Sequence, residues 1–149
     1  MRDELCRPWN DDLGYWLKQL GNVMEQSRNK RVAPMELTSS QMEVILFLAV
    51  NKDEEVNQID VEKYMHCSNP TVTGIVKRLE AKEFIVRLPS KRDKRYKRLV
   101  LTDKALKLLE EGNAERIREE SKLLQGFSEE EQKAALSYVK RMIDNLLNS

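Results

Sequence analysis

The sequence is short of the residues on which most enzyme chemistry rests. It has one histidine and two cysteines, no glycine-rich phosphate loop and no paired metal ligands at helical spacing. The common acid–base, zinc and nucleotide-binding constellations are therefore excluded, and no catalytic residue, metal site or cofactor is expected. Cys6 and Cys67 form neither a metal-ligand nor a disulfide-scaffold spacing, which suits a reducing cytoplasm, the expected location. No window approaches the roughly 18 uninterrupted apolar residues of a membrane span. The opening Met1-Arg2-Asp3-Glu4 has no apolar signal core either, so no membrane partner is expected.

What is present fits one ordinary domain. The 149 residues, 40% hydrophobic and 34% charged, suit a soluble globular chain organised as a single unit over 1–149. The formal net charge is only +1, yet it is segregated. Ten basic residues lie between Lys77 and Arg98 against three acidic ones, a local +7, which leaves the rest acidic. A charge run on a lone helix is a solvated face; one on a hairpin beside an exposed helix favours phosphate contact.

From the N-terminus, an arm through Asn10 precedes a helix that starts near Asp11. Leu13, Trp16, Leu17, Leu20, Val23 and Met24 keep helical spacing to about Ser27, and Asn29 to Pro34 reads as a loop. Thr38-Ser39-Ser40-Gln41 has capping-box form and opens a central buried helix with Val44, Ile45, Leu46 and Leu48, ending near Asn51. Asp53-Glu54-Glu55 reads as a surface turn, and Asn57 as the cap of a short helix to Met65. Thr102 caps a long helix with a polar middle from Glu110 to Arg116. Ser128-Glu129-Glu130-Glu131 is a further capping box, before an apolar stripe of Leu136, Val139, Ile143, Leu146 and Leu147. A stripe of that length asks for a cover. A symmetric pair of chains supplies one, and an intramolecular helical hairpin accounts for it in part.

Residues 68 to 102 organise the rest. Val72, Ile75, Val76 and Leu79 fall at i, i+3, i+4 and i+7 and predict the buried stripe of a helix over 69–83. Pro70, Thr71, Thr73, Gly74, Lys77 and Arg78 take the opposite face. Asn69 suits an N-cap with proline at the first helical position, and Ser68 suits a cap one residue earlier. Phe84 to Leu88 and Lys97 to Leu101 read as strands joined by a basic tip, a wing over 89–97. Within it, Asp93 is spaced to fix the Arg95 fork so that the guanidinium meets a narrow minor groove preorganised.

Five pieces in register carry a resemblance. They are Leu37-Thr38-x-x-Gln41, the helix from Val61 to Met65, Ser68-Asn69-Pro70-Thr71-Val72-Thr73, the Leu79-Glu80 helix end, and Asp93-x-Arg95 followed by Leu99-x-Leu101-Thr102. Together they resemble the MarR family of bacterial winged-helix transcription regulators. The resemblance implies a mainly α fold with a small β-hairpin wing (α+β), a winged helix-turn-helix over 37–102, and dimerisation helices over 9–28 and 103–149. It also implies a homodimeric repressor on a pseudo-palindromic site in double-stranded DNA. The DNA-contacting candidates are Ser68, Asn69, Pro70, Thr71, Thr73, Gly74, Lys77, Arg78, Lys91, Asp93, Lys94 and Arg95.

A small aromatic effector is implied as well, with Trp16, Met42 and Ile45 as candidate pocket walls; plain core is the competing reading of those three. The chain departs from the family pattern in places. His66 stands where glycine is usual, so it is expected at positive φ, and Cys67 replaces a buried aliphatic residue. Gly74 stands where a larger polar or basic residue is common. Two alternatives remain: a winged helix used for protein contacts, and a regulator in which Cys6 senses peroxide, as in one branch of the family.

Overall fold

The computed structural model describes residues 8–149; Cys6, and the redox alternative that rests on it, lie outside them. By packing, the chain divides into two compact units, one ending at Lys107 and the other spanning Leu108–Ser149. The boundary falls inside a single helix.

In the first unit, Trp9–Asp11 forms one 3-10 turn where an arm was expected, and α1 runs Leu13–Val32. The predicted loop over 29–34 is thus largely helical. Val32 is fully buried, and the Oδ1 of Asn29 accepts a hydrogen bond from the Ser39 N–H at 2.8 Å. Both contacts hold the last turn of α1 in helical form until Pro34 terminates it. After the turn Ala33–Met35, α2 spans Ser39–Val50. The predicted capping box is formed in both directions: Thr38 Oγ1 accepts from the Gln41 N–H and Gln41 Oε1 from the Thr38 N–H, each at 3.2 Å. A second box, Asn57 with Asp60, starts α3 at Gln58–Met65. His66 then takes the left-handed conformation expected of it, φ 52° and ψ 37°.

Helix α4 covers Asn69–Ala81, shorter at its C-terminus than the predicted 69–83, because Glu83 turns left-handed at φ 62° and breaks the helix. Strands β1 (Ile85–Pro89) and β2 (Lys97–Leu101) pair antiparallel, with Arg87 opposite Leu99 and Pro89 opposite Lys97. Beside β2 the chain adds an isolated bridge: Asn57 pairs with Arg98, and the Leu99 N–H donates to the Val56 carbonyl at 2.7 Å. Val72, Val76 and Leu79 of α4 are fully buried, as are Val44 and Ile45 of α2. Truncating a side chain such as Leu79 to alanine costs about 2–5 kcal/mol, so this core fixes α4 firmly beneath its outer face.

Helix α5 runs Asp103–Leu123, and Thr102 caps it, its Oγ1 accepting from the Ala105 N–H at 3.3 Å. In the second unit a turn at Gly126, φ 84°, precedes α6 at Glu129–Leu147. The Ser128–Glu131 box is formed as predicted. No residue of α6 is buried, and Leu136, Val139, Ile143, Leu146 and Leu147 are all exposed. Among the described residues no helix is long and apolar enough to cross a membrane.

Candidate nucleic-acid interface

The outer face of α4 is built as its sequence spacing predicts. Pro70, Thr71, Lys77 and Arg78 are exposed and Gly74 half-buried, opposite the buried stripe. Of the two possible caps the helix uses Ser68, which places Asn69 and Pro70 in the first turn. The Ser68 side chain caps no backbone group; its Oγ lies 3.1 Å from Thr71 Oγ1. The helix N-terminus therefore keeps N–H groups and a partial positive charge with which a phosphate can pair.

Two of the predicted contact residues have prior engagements with α3. The Asn69 amide donates to Glu62 Oε1 at 2.7 Å, and Thr73 Oγ1 both accepts from Gln58 Nε2 at 2.7 Å and donates to Asn69 Oδ1 at 3.4 Å. Gln58 also donates to Glu62 Oε1, at 3.3 Å. Gln58 and Glu62 escape a reading of the sequence because their partners lie on another helix. A carboxylate only accepts, so Glu62 fixes which way the Asn69 amide faces. Thr71, Lys77 and Arg78 remain exposed on the same face, Thr71 beside the Ser68 hydroxyl.

In the wing, Asp93 and Arg95 meet as expected. Asp93 accepts from the Arg95 backbone N–H at 3.1 Å, and its two oxygens take the guanidinium at 2.7 to 3.2 Å. The Arg95 side chain, then its backbone, hold the Asp93 carboxyl below the usual aspartate value; Asp93 in turn raises the arginine. Arg95 also lies over the Tyr96 ring, 5.9 Å from its centroid. It nevertheless stays exposed, as do Lys91, Arg92, Lys94 and Lys97. This is a guanidinium fork oriented in advance and presented to solvent, the form in which arginine enters narrow, negative grooves.

Not every basic residue of the run belongs to this surface. Lys82 reaches the Glu36 carbonyl, and Arg87 pairs with Glu80 at 3.3 Å. The Nε of Arg98, whose backbone bridges Asn57, is buried. Glu55, read as part of a surface turn, contacts the wing instead, accepting from Ser90 and Lys91. The effector candidates are separated by burial. Met42 and Ile45 are in the core at 8% and 0% exposure, whereas Trp16 on α1 is 57% exposed, donates its Nε1–H to the Asn10 carbonyl at 2.6 Å, and meets Tyr15 edge-on. Cys67, expected to be buried, is half-buried, its thiol donating to the Met65 carbonyl at 3.3 Å.

Comparison with known proteins places this architecture. Residues 37–97 match the MarR family model. The HTH-type transcriptional regulator YwoH of Bacillus subtilis (strain 168) is 33% identical over 133 residues, which is 89% of this chain and 94% of that protein. The crystal structure of the transcription regulator MarR from Oenococcus oeni PSU-1 is 34% identical, with 89% of this chain and 99% of that one covered at a TM-score of 0.76. A complex of S. aureus MepR with DNA shares the fold at a TM-score of 0.83 and 23% identity, covering 93% of this chain and 99% of that one. The β-hairpin behind a helix-turn-helix, the Asp93–Arg95 pair and these likenesses agree: the chain belongs to the MarR family.

Proposed function

We propose that the protein is a homodimeric transcription repressor that binds a pseudo-palindromic site in double-stranded DNA, reading the major groove with α4 and the minor groove with Arg95. The observation that carries this reading is the Asp93–Arg95 fork, exposed in the loop of a basic hairpin whose first strand packs against α4. Base contacts then fall to Thr71, Lys77 and Arg78 with Ser68, Asn69, Pro70, Thr73 and Gly74 around them, and phosphate contacts to Lys91 and Lys94. The family and the DNA-bound state of MepR support the same reading.

Dimerisation is supported by apolar side chains without cover. Leu13, Trp16 and Val23 of α1 are more than half exposed, as are Leu136 and Leu146 of α6. A second copy of the chain is the partner that satisfies these faces and the two-fold symmetry of a palindromic site together. A small aromatic effector would release DNA by binding best the conformation in which the α4 helices are misplaced. Met42 and Ile45 are buried, so of the three candidate walls Trp16 alone is open to such a ligand.

The test is selection of bound fragments from a random duplex pool, followed by affinity measured against salt. A recovered inverted repeat, and a steep fall of affinity with salt, are expected. Recovery of unrelated fragments with no shared half-site would refute sequence-specific recognition.

A further inference from the structure

The wing is anchored from outside itself. Glu55, at the end of the acidic turn between α2 and α3, sets both carboxylate oxygens beneath the hairpin. Its Oε2 accepts from the Ser90 hydroxyl at 2.6 Å, and its Oε1 accepts from the Lys91 backbone N–H at 2.6 Å. These contacts cross 35 and 36 residues of sequence. Ser90 Oγ then accepts from the backbone N–H groups of Arg92 and Asp93, each at 3.1 Å. Asp93 grips Arg95. Hydrogen bonds thus lead from Glu55 through Ser90 to the Asp93 backbone, and from the Asp93 carboxylate to the guanidinium.

Every link in that path has a direction. A serine hydroxyl has one proton, and an ionised carboxylate can only accept. Once the Ser90 O–H donates its hydrogen bond to Glu55, its oxygen can serve the loop only as an acceptor, which is the role the Arg92 and Asp93 amides require. Bonds to a charged acceptor are about twice as strong as neutral ones. The Ser90 hydroxyl and the Lys91 N–H, with Arg92 and Arg98 nearby, hold the Glu55 carboxyl below the usual glutamate value, so it is ionised at neutral pH.

We propose that Glu55 is a positioning residue of the DNA-reading wing: acting through Ser90, it fixes the loop from which Asp93 presents Arg95, and so sets how sharply Arg95 discriminates narrow from wide minor grooves. Glu55 does not touch DNA in this scheme. The proposal rests on the reading that Arg95 enters the minor groove. The fold itself has other ties at this place, because β1 and β2 keep their own register and Leu99 pairs with Val56.

The experiment uses two duplexes built on the selected site, one with A·T-rich and one with G·C-rich flanks beneath the wing. Wild type, Glu55→Gln, Ser90→Ala, Ser90→Thr, Arg95→Ala and the Glu55→Gln/Arg95→Ala double variant are compared for affinity and melting temperature. The expected result is a several-fold loss of A·T-flank preference in Glu55→Gln and Ser90→Ala with at most a small fall in melting temperature, and recovery in Ser90→Thr. In the Arg95→Ala background Glu55→Gln should add nothing. If Arg95→Ala abolishes the preference while Glu55→Gln keeps it, the proposal fails alone; so it does if the two changes add, or if Glu55→Gln weakens both duplexes equally. If Arg95→Ala keeps the preference, the minor-groove reading fails and takes this proposal with it.

Discussion

Gly74 offers the sharpest single-residue experiment. It lies inside α4, where glycine is less favourable than alanine by about 0.8–1.0 kcal/mol. Its φ is not in the left-handed region, where Gly126 is the one glycine found, so no backbone requirement opposes alanine. A β-carbon built at Gly74 meets only Arg78 Nη1, at 3.8 Å, an ordinary contact with the end of a flexible side chain. Nothing in the free protein therefore subtracts from the helical gain, and Gly74→Ala is expected to raise the melting temperature by about 2–4 °C. DNA should respond in the opposite sense. Gly74 lies among Thr71, Lys77 and Arg78 on the polar face, and a methyl group there would hold the α4 backbone away from base edges. A loss of about 1–3 kcal/mol in affinity for the selected site is expected, the worth of one base contact. Melting and affinity are measured on the same preparation at one protein concentration, since a dimer's melting temperature depends on it. A lower melting temperature would refute the helical argument. Undiminished affinity would refute close approach and leave Gly74 as a neutral substitution on the polar face of α4.

Arg95→Ala is expected to lower affinity for the selected site by about 1–3 kcal/mol, whereas Lys91→Ala should reduce the salt slope by about one; equal, small effects of both would dismiss the assignment of Arg95. Light scattering at micromolar concentration should give about twice the 17.5 kDa chain mass, with half-sites about 34–36 Å apart. A stable monomer with full DNA affinity contradicts the dimer. Phenolic acids should change Trp fluorescence through Trp16, and the pocket is to be abandoned if none does so up to millimolar concentration. Glu55 and Asp93 both have lowered carboxyl values, so their contribution is in place above the unfolded values of about 4.3 and 3.9 and is lost as pH falls through the still lower folded ones. The Lys91 amide shift should therefore be flat from neutral pH to about 5 and inflect below about 4.3; an inflection at or above the ordinary glutamate value would show that Glu55 gains nothing from its partners.

Where chemistry is local, the sequence is a good guide to this fold. Thr38 with Gln41 and Ser128 with Glu131 are capping boxes in both sequence and structure, and His66 takes positive φ at the turn where glycine would be expected. The Asp93–Arg95 pair needs only two residues of separation, which is why it could be read directly. The end of α1 is hidden in the sequence because Asn29-Lys30-Arg31 is polar, while what continues the helix, burial of Val32 and the bond Asn29 accepts from the start of α2, is tertiary. The same reason hides the partners of the interface. Glu55 is one of three consecutive acidic residues in a turn, and only the folded chain brings Ser90 to it. Likewise Glu62 and Gln58 look like the solvent face of a short helix until α4 lies alongside.

The hairpin has one further property. Among the described residues β1 pairs with β2 alone, so its other edge carries backbone groups that another chain could use as a template for strand addition. That edge is blunt. It is five residues long, has Arg87 at its centre and ends at Pro89, which has no N–H to offer. Repeated copies crowded side by side along a nucleic acid would press such hairpins together, and a long, flat, apolar edge in that setting would seed fibres. Shortness, charge and proline protect this wing against that outcome.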